Sequence, residues 1–225
     1  MNANGILLVD KAASFPSFHL VHLLRKRLKV AKIGHAGTLD PFATGVMVML
    51  IGSQYTRLSE SYLTKDKSYR GTLHLGVTTE TYDPEGGITS HSDLVPNEAQ
   101  VQGAIDAFQG EIAQIPPMYS AKKVGGKKLY TLARQGVTIE REPVRVRVEI
   151  QLLGYAYPFL HIEARCSKGT YIRTLAHDIG QLLGCGAYLQ ELQRIRSGDF
   201  TLAECVPQAL LTHPDFDPLE HLRRC

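Results

Sequence analysis

The sequence has few of the features that define metal-dependent, disulfide-linked or membrane-spanning proteins. Its four cysteines, Cys166, Cys185, Cys205 and Cys225, lie far apart and form no C-x-x-C pair, which argues against a zinc site and a disulfide scaffold. No apolar run approaches the roughly 20 residues needed to cross a bilayer, and the N-terminus has no secretory pattern. Internal repeats and low-complexity tracts are also missing. These absences favour a soluble protein of a reducing cytoplasm.

Composition and charge indicate an ordinary globular chain with a mild positive balance. The chain has 225 residues, of which 44% are apolar and 21% charged, enough to bury one sizeable core. The net charge is +3, and acids concentrate near the C-terminus, so residues 1–202 carry 23 basic against 18 acidic side chains. This balance permits a polyanionic partner but does not require one.

The chain is organised around a glycine-rich loop at residues 34–45, with the sequence GHAGTLDPFATG. Three glycines, a proline and two threonines in twelve residues form neither a good helix nor a good strand. Asp40 precedes Pro41, which biases the Asp40 backbone towards an extended or turn conformation and so presents its side chain. The apolar run from Val46 to Ile51 predicts a buried strand behind the loop. Composition alone favours a plain turn over a catalytic loop.

Hydrophobic periodicity predicts helices and strands in alternation around this loop. A helix is expected after Ser17, which would cap it, and its basic face is either solvated or in contact with phosphates. Residues 144–152 and 160–166 alternate between apolar and polar side chains, which predicts two antiparallel strands. Another helix follows Thr170, the expected cap, and places Arg173 in its first turn. A buried arginine there would need a carboxylate, for which Asp40 is the candidate.

Three further segments complete the pattern. Residues 53–65 are predicted as a helix, and residues 67–76 as a strand with Tyr69 on its inward face. Residues 88–95 are polar and predict a loop. An inward tyrosine at the start of a strand is usually a core aromatic whose hydroxyl has a partner.

Several segments of the chain, in order, resemble signature segments of the TruB family of tRNA pseudouridine synthases. They are the loop GHAGTLDPFATG, the pair K-x-Y and TETYDPEG, the segment IPPMYSAKK with GKKLYTLARQG, and CSKGTYIRTLA. The resemblance implies a pseudouridine synthase fold of the α/β (α+β) class, with a mixed, mostly antiparallel sheet flanked by helices and loops and a central active-site cleft. It also implies isomerisation of uridine 55 in the T loop of tRNA by base flipping, without cofactor or metal.

The resemblance further implies roles for individual residues. Asp40 corresponds to the catalytic nucleophile, Tyr69 to an active-site tyrosine, and Arg173 to the arginine that keeps Asp40 ionised. His35 resembles the residue that occupies the place vacated by the flipped uridine, and Tyr171 and Leu192 complete the substrate pocket. A set of lysines is expected to face RNA: Lys11, Lys122, Lys123, Lys127, Lys128 and Lys168.

The resemblance also implies the domain organisation and partners. Residues 1–202 are expected to form the catalytic domain, and residues 203–225 a tail too short to build the RNA-binding PUA domain with which family members generally end. The expected partner is the T stem-loop of tRNA, bound by a monomer that needs neither a membrane nor an obligate protein partner.

Two other classes of function remain open from the residues. A non-catalytic tRNA-binding or RNA-folding factor would need the same basic surfaces but not Asp40. A hydrolase of glycosidic bonds normally places two carboxylates on either side of the scissile bond, whereas this loop contains one. A purely RNA-binding role is disfavoured by the joint presence of Asp40, Tyr69 and Arg173.

Overall fold

The structure is a computed structural model that describes residues 3–224, so Met1, Asn2 and the fourth cysteine, Cys225, lie outside the described residues. Contacts within the chain divide it into two compact units. Unit 1 comprises residues 3–70 and 192–224, and unit 2 comprises residues 71–191.

Unit 1 combines a strand-rich core with three helices. Its helices are α1 (Ser17–Leu28), α2 (Ser53–Thr56) and α3 (Ser59–Leu63). Its strands are β1 (Gly5–Lys11), β2 (Ile33–His35), β3 (Thr44–Ile51), β13 (Phe200–Thr201) and β14 (Val206–Pro207), and it shares β4 (Lys67–Leu75) and β12 (Ala187–Ser197) with unit 2. Short 3-10 helices span Leu202–Glu204, Gln208–Thr212 and Pro218–His221.

The sheet of unit 1 has the strand order β14-β1-β3-β12, with β2 also paired to β3. β1 and β3 run antiparallel, and their apolar runs are buried on both faces, as the continuous apolar sequence predicts. β12 runs parallel to β3, with Arg194 opposite Gly45. Gly45 has a φ of +104°, and a Cβ there would collide with the backbone of Arg194. Glycine is therefore what allows the two strands to approach at this point.

The C-terminal segment packs onto the edge strand of unit 1. β14 runs parallel to β1, and the backbone N–H of Ile6 donates to the carbonyl of Arg223. The Arg27 guanidinium in α1 donates to three backbone carbonyls between residues 213 and 216. The described part of this segment thus covers an edge that would otherwise leave backbone groups unpaired.

Unit 2 has its own sheet and helices. Its helices are α4 (Glu98–Ala107), α5 (Leu129–Ala133) and α6 (Ile172–Leu183). Its strands are β5 (Val77–Thr79), β6 (Ile88–His91), β7 (Gly110–Gln114), β8 (Lys123–Val124), β9 (Lys127–Lys128), β10 (Val144–Ala156) and β11 (Phe159–Cys166). The main sheet has the order β12-β4-β11-β10-β7, and β5-β6 and β8-β9 form separate hairpins.

The alternating segments of unit 2 fold as predicted. β10 and β11 pair antiparallel, with Val148 opposite Cys166, and the alternating apolar positions from Val146 to Ile150 and from Leu160 to Cys166 are buried. Ile172, Leu175 and Ile179 form the buried face of α6. The predicted class, a mixed and mostly antiparallel sheet with flanking helices, is confirmed by the strand pairings of the two units.

Four local predictions were wrong. Pro16 rather than Ser17 occupies the N-cap of α1, and Tyr171 rather than Thr170 that of α6. The Thr170 hydroxyl donates instead to the carbonyl of Ser167 at 2.9 Å. Residues 53–65 form two short helices rather than one, and residues 88–95 include β6, which pairs with β5.

The helices of the protein are short. The longest, α1 and α6, have 12 residues each. Over residues 3–224 no helix has the length and apolar character that a membrane crossing requires.

Candidate active site

The glycine-rich loop is held by its backbone, which leaves the Asp40 side chain at a partly exposed apex. The buried Ser17 hydroxyl donates to the carbonyl of Leu39 and accepts from its N–H, each at 2.8 Å. The carbonyl of Asp40 accepts the N–H of Ala43 at 3.2 Å. The hydroxyl of Ser17 therefore serves the loop rather than the helix, which explains why it does not cap α1.

Two buried cations hold the same loop from inside unit 1. The Lys11 ammonium, whose residue is 0% exposed, donates to the carbonyls of Pro41, Ala12 and Phe15. The Arg194 guanidinium, at 1% exposure, donates to the carbonyls of Val46 at 2.7 Å and Gly37 at 3.1 Å. Burying a cation is costly without such acceptors. These contacts fix the loop on both sides of Asp40.

The prediction that Lys11 faces RNA was wrong. Its side chain points into unit 1 and binds backbone carbonyls, because the chain turns directly after β1 and brings residues 12, 15 and 41 around the ammonium. Sequence analysis did not single out Arg194. The parallel pairing of Arg194 with Gly45 was the missing information.

His35 lies at the end of β2, opposite Met49 in β3. Burial, and then the charge of Arg194, lowers the pKa of the His35 imidazole. Its Nδ1 is buried and has no hydrogen-bond partner among residues 3–224. A neutral, half-buried ring next to the loop has the shape and charge needed to stack on a base.

Tyr69 and Leu192 lie in the two strands that unit 1 shares with unit 2. Tyr69 is the third residue of β4 and is partly buried, on the same side as the buried Leu73 and Leu75. Leu192 in β12 is 7% exposed, and its carbonyl lies 3.5 Å from the hydroxyl of Thr44. Both side chains therefore belong to well-ordered strands rather than to loops.

Arg173 lies in the first turn of α6, as predicted, and it is buried with 4% of its side chain exposed. Its guanidinium lies 3.4 Å from the carboxylate of Asp83 and donates to the carbonyls of Thr81 at 3.0 Å and Tyr119 at 2.8 Å. Asp83 is 3% exposed in its side chain. Within unit 2 the carboxylate beside Arg173 is therefore Asp83, while the pairing with Asp40 stays a prediction.

The turn that carries Asp83 is itself braced. Asp83 accepts hydrogen bonds from the hydroxyl of Thr81 and from the N–H of Glu85. Tyr82 has a positive φ of 62°, and its ring stacks on His177 with centroids 3.9 Å apart. Since His177 and Arg173 are one turn apart on α6, the stack and the ion pair join the same two segments. Sequence analysis identified the TETYDPEG segment by its resemblance to the family, but it did not single out Asp83 within that segment.

Tyr171, the N-cap of α6, is fixed through its backbone. Its N–H donates to Oε1 of Gln114 at 2.8 Å, and its carbonyl accepts from Nε2 of Gln114 at 3.1 Å. Gln114 is 1% exposed, and its side-chain amide makes both of these hydrogen bonds inside unit 2. The backbone of Tyr171 is thereby held by β7, a contact that sequence reasoning also missed.

The remaining predicted lysines lie on the surface of unit 2. The exposed Lys123, Lys127 and Lys128 lie in the β8-β9 hairpin. Lys122, which is partly buried, precedes the hairpin, and the exposed Lys168 precedes α6. The Lys128 ammonium lies 5.4 Å from the centroid of the Tyr130 ring, a cation–π distance. Their exposure is compatible with contact to RNA, which stays a prediction.

Asp178 in α6 gives a prediction for the pH dependence of stability. Burial raises the pKa of its carboxyl from 3.8 to about 6. Folded Asp178 thus holds its proton more tightly than the unfolded chain does, so its contribution makes stability fall as pH rises from about 4 to 6. We expect Asp178→Asn to raise the free energy of unfolding by about 1–2 kcal/mol at pH 7.5 and to leave it unchanged at pH 3.

Urea denaturation of the native protein and Asp178→Asn across pH 3–8 measures this difference. The control is Asp93→Asn, which removes an exposed carboxylate from the same unit. Equal stability of native protein and Asp178→Asn at pH 7.5 would show that the carboxylate is not destabilising.

Within the described range, 3–224, no group of three or more His, Cys, Asp or Glu side chains is arranged to hold a metal ion. The predicted absence of a cofactor stays a prediction.

Comparison with known proteins assigns the chain to a family. Residues 25–172 match the TruB family pseudouridylate synthase N-terminal domain, and residues 173–214 match the tRNA pseudouridylate synthase B C-terminal domain. The chain is 56% identical over 219 residues to tRNA pseudouridine synthase B of Chlamydia pneumoniae, which covers 97% of this chain and 93% of that protein. The relative of the same name from Protochlamydia amoebophila is 56% identical over 202 residues, or 90% of this chain and 77% of its own.

A solved structure gives the same result for the fold. The chain superposes on a chain of a Cbf5-Nop10-Gar1 complex with a TM-score of 0.74 and 26% identity, over 97% of this chain. It covers 59% of the length of that solved chain. The chain belongs to the TruB family of pseudouridylate synthases, a family of isomerases.

Proposed function

We propose that the protein converts uridine to pseudouridine in tRNA, at position 55 of the T loop. Relatives that share more than half of its residues are named tRNA pseudouridine synthase B. The observation that carries the proposal is the fixed presentation of Asp40, on a loop whose backbone is held at residues 37, 39 and 41 by buried side chains. Such rigidity suits a nucleophile, because catalysis needs a preset geometry.

The reaction exchanges one glycosidic bond for another. The N1–C1′ bond of the uridine breaks, the detached uracil turns, and a C5–C1′ bond forms while C5 loses its proton and N1 gains one. No electrons are gained or lost overall, so the reaction needs no redox partner. Asp40 attacks as a nucleophile either at the sugar C1′ or at C6 of the uracil, and both routes need an ionised carboxylate.

Other residues support this step in the proposal. Arg173 favours the ionised form of Asp40, since a nearby cation stabilises a carboxylate. His35 fills the gap left by the flipped uridine, at a cost of unstacking of a few kcal/mol. Tyr69 stacks on the uracil near C5, while Tyr171 and Leu192 line the pocket. The exposed lysines of the β8-β9 hairpin and Lys168 contact the RNA backbone.

We infer a cytoplasmic enzyme that acts as a monomer on the T stem-loop, without a cofactor or an obligate protein partner. Residues 1–202 supply the catalytic domain.

The hydroxyl of Tyr69 gives a separable prediction. Tyr69→Phe keeps the ring that stacks on uracil but removes the group that assists proton loss from C5. We expect RNA affinity to stay within about twofold and turnover to fall about 100-fold, a typical loss for a general acid or base.

Single-turnover kinetics and filter binding measure these two effects. The control is Tyr62→Phe, in which the altered ring stacks on Phe200 elsewhere in unit 1. Full turnover by Tyr69→Phe would remove the hydroxyl from the mechanism.

Tritium release tests the proposed function. A T stem-loop RNA labelled with tritium at C5 of its uridines is incubated with the native protein. The expected result is release of one tritium per RNA, abolished when the uridine at position 55 is replaced by cytidine. If the protein binds the RNA but releases no tritium, the non-catalytic RNA-binding function becomes the better explanation.

A further inference from the structure

Helix α1 and the residue that caps its C-terminus, Lys29, carry an exposed stripe of one aromatic and four basic or imidazole side chains. Its members are spaced by three or four residues, apart from one adjacent pair, and are all exposed: Phe18, His22, Arg25, Lys26 and Lys29. They lie opposite the buried Leu20 and Leu24, and the buried Val21 flanks them. We call them the α1 stripe. From Phe18 to Lys29 it extends about 16 Å at 1.5 Å per residue.

The charge of the stripe is not neutralised by the protein. Residues 11–39 contain six Lys and Arg and no Asp or Glu. Across the described chain, Arg25, Lys26 and Lys29 make no salt bridge with a carboxylate. The exposed arginines of β10 and β11 differ, because Arg145 and Arg147 each pair with a glutamate. The stripe thus retains its positive potential, as a surface for a polyanion does.

Phe18 is unusually exposed for a residue of its size. Its side chain is 61% exposed, and the Arg25 guanidinium lies 5.7 Å from the centroid of its ring. An aromatic face beside cations that have no carboxylate partner is a combination that binds single-stranded nucleotides, with the ring on a base and the cations on phosphates.

The position of the stripe relates it to Asp40. The first residue of α1, Ser17, is hydrogen-bonded to Leu39, the neighbour of Asp40, so Phe18 lies at the end of the stripe that adjoins the loop. Farther along α1, the Arg25 guanidinium lies 3.5 Å from the carbonyl of Ile33, the first residue of β2. An RNA whose uridine lies at Asp40 must extend beyond the loop, and the stripe is a surface of unit 1 on which its neighbouring nucleotides can bind.

We propose that the α1 stripe is a binding surface for the tRNA backbone next to the modified nucleotide. Arg25, Lys26 and Lys29 bind phosphates, and Phe18 stacks on an unpaired base close to the flipped uridine. This inference rests on the proposed function and assigns that activity a second contact, outside the residues that do chemistry.

Two triple variants with the same change in net charge test the stripe. Arg25→Gln/Lys26→Gln/Lys29→Gln neutralises it, and Arg145→Gln/Arg147→Gln/Arg165→Gln neutralises exposed cations that pair with glutamates in unit 2. Equilibrium binding of a T stem-loop RNA is measured between 50 and 300 mM KCl, with kcat and KM for tritium release. Circular dichroism and thermal melting verify that both variants fold.

The expected result is specific to the stripe. Its variant loses about 10- to 100-fold in affinity at 0.1 M salt, the loss appears in KM, and the slope of log K against log salt falls by about 3. The control triple stays within about threefold of the native protein. Phe18→Ala weakens binding about fivefold without changing the slope, since stacking is not ionic, and Leu182→Ala, which shortens another exposed apolar side chain, has no effect.

Three outcomes would overturn the proposal. Equal losses of affinity in both triple variants would mean that only net charge matters. Unchanged RNA affinity in the stripe variant would show that the stripe faces solvent or binds an acidic protein. Unchanged RNA affinity in Phe18→Ala would exclude the stacking contact. Absence of turnover by the native protein is a separate result, which contradicts the proposed function while the binding comparison still decides the stripe.

Discussion

Replacing Asp40 by asparagine is expected to reduce pseudouridine formation by at least about 10⁴-fold while RNA affinity stays within about threefold. Asparagine has nearly the shape of aspartate but cannot supply the anionic nucleophile. The described contacts that hold the loop use the hydroxyl of Ser17 and the cations of Lys11 and Arg194 on backbone groups, so the substitution leaves them in place. The loss therefore falls on the chemical step.

Single-turnover tritium release and equilibrium RNA binding measure the two quantities on one preparation. The matched control is Asp199→Asn, which removes an exposed carboxylate from the same unit. Retention of a tenth or more of native turnover by Asp40→Asn would show that Asp40 is not the nucleophile. A parallel loss of affinity would show that its role is in binding.

Replacing Asp83 by asparagine is expected to lower the free energy of unfolding by about 3 kcal/mol and turnover by about 10- to 100-fold. The substitution leaves the buried Arg173 guanidinium without the anion that lies 3.4 Å away in the native protein. Arg173 keeps the carbonyls of Thr81 and Tyr119, so the effect lies at the lower end of the range for breaking a buried ion pair. In this account Asp83 is a positioning residue that acts through Arg173.

A double-mutant cycle separates this pairing from general damage. Asp83→Asn and Arg173→Met are measured singly and together by urea denaturation, and a coupling energy of about 2 kcal/mol is expected. Glu80→Gln, an exposed carboxylate in the same turn, is the control. If the pH dependence of turnover is the same in Asp83→Asn as in the native protein and only stability falls, Asp83 has a structural role alone. A coupling near zero would contradict the pairing itself.

Local sequence patterns were sufficient for the regular parts of the fold. The alternation in residues 144–152 and 160–166 predicted β10 and β11, since one buried face imposes a period of two. The apolar run from Val46 to Ile51 predicted β3, which is buried on both faces. The loop between β2 and β3 was also predicted, although its ends, Gly34–His35 and Thr44–Gly45, continue the strands.

Contacts between distant segments decided what the patterns missed. Ser17 had the right chemistry for a helix cap, but its hydroxyl binds the carbonyl of Leu39, which is 22 residues away. Lys11 ends a strand, where a charge is normally exposed, yet the turn that follows surrounds it with carbonyls. Long-range contacts of this kind carry no periodic signal in the sequence.

The residues of the candidate site likewise fall into those that sequence analysis identified and those that it missed. The loop with Asp40 and the helix with Arg173 were identified by resemblance to family segments, and the structure places both as ordered, partly or fully buried elements. Arg194, Asp83 and Gln114 were missed, because each acts on a partner that is 57 or more residues away: Gly37, Arg173 and Tyr171. Their roles follow from contacts rather than from residue type.

The central claim is that Asp40 drives isomerisation of a single tRNA uridine. The most direct test is a position-resolved map of pseudouridine in a full-length tRNA transcript, obtained by carbodiimide modification and primer extension after incubation with the native protein or with Asp40→Asn. We predict one pseudouridine, at position 55, with the native protein and none with the variant. Pseudouridine at another position, or its formation by Asp40→Asn, would contradict the account.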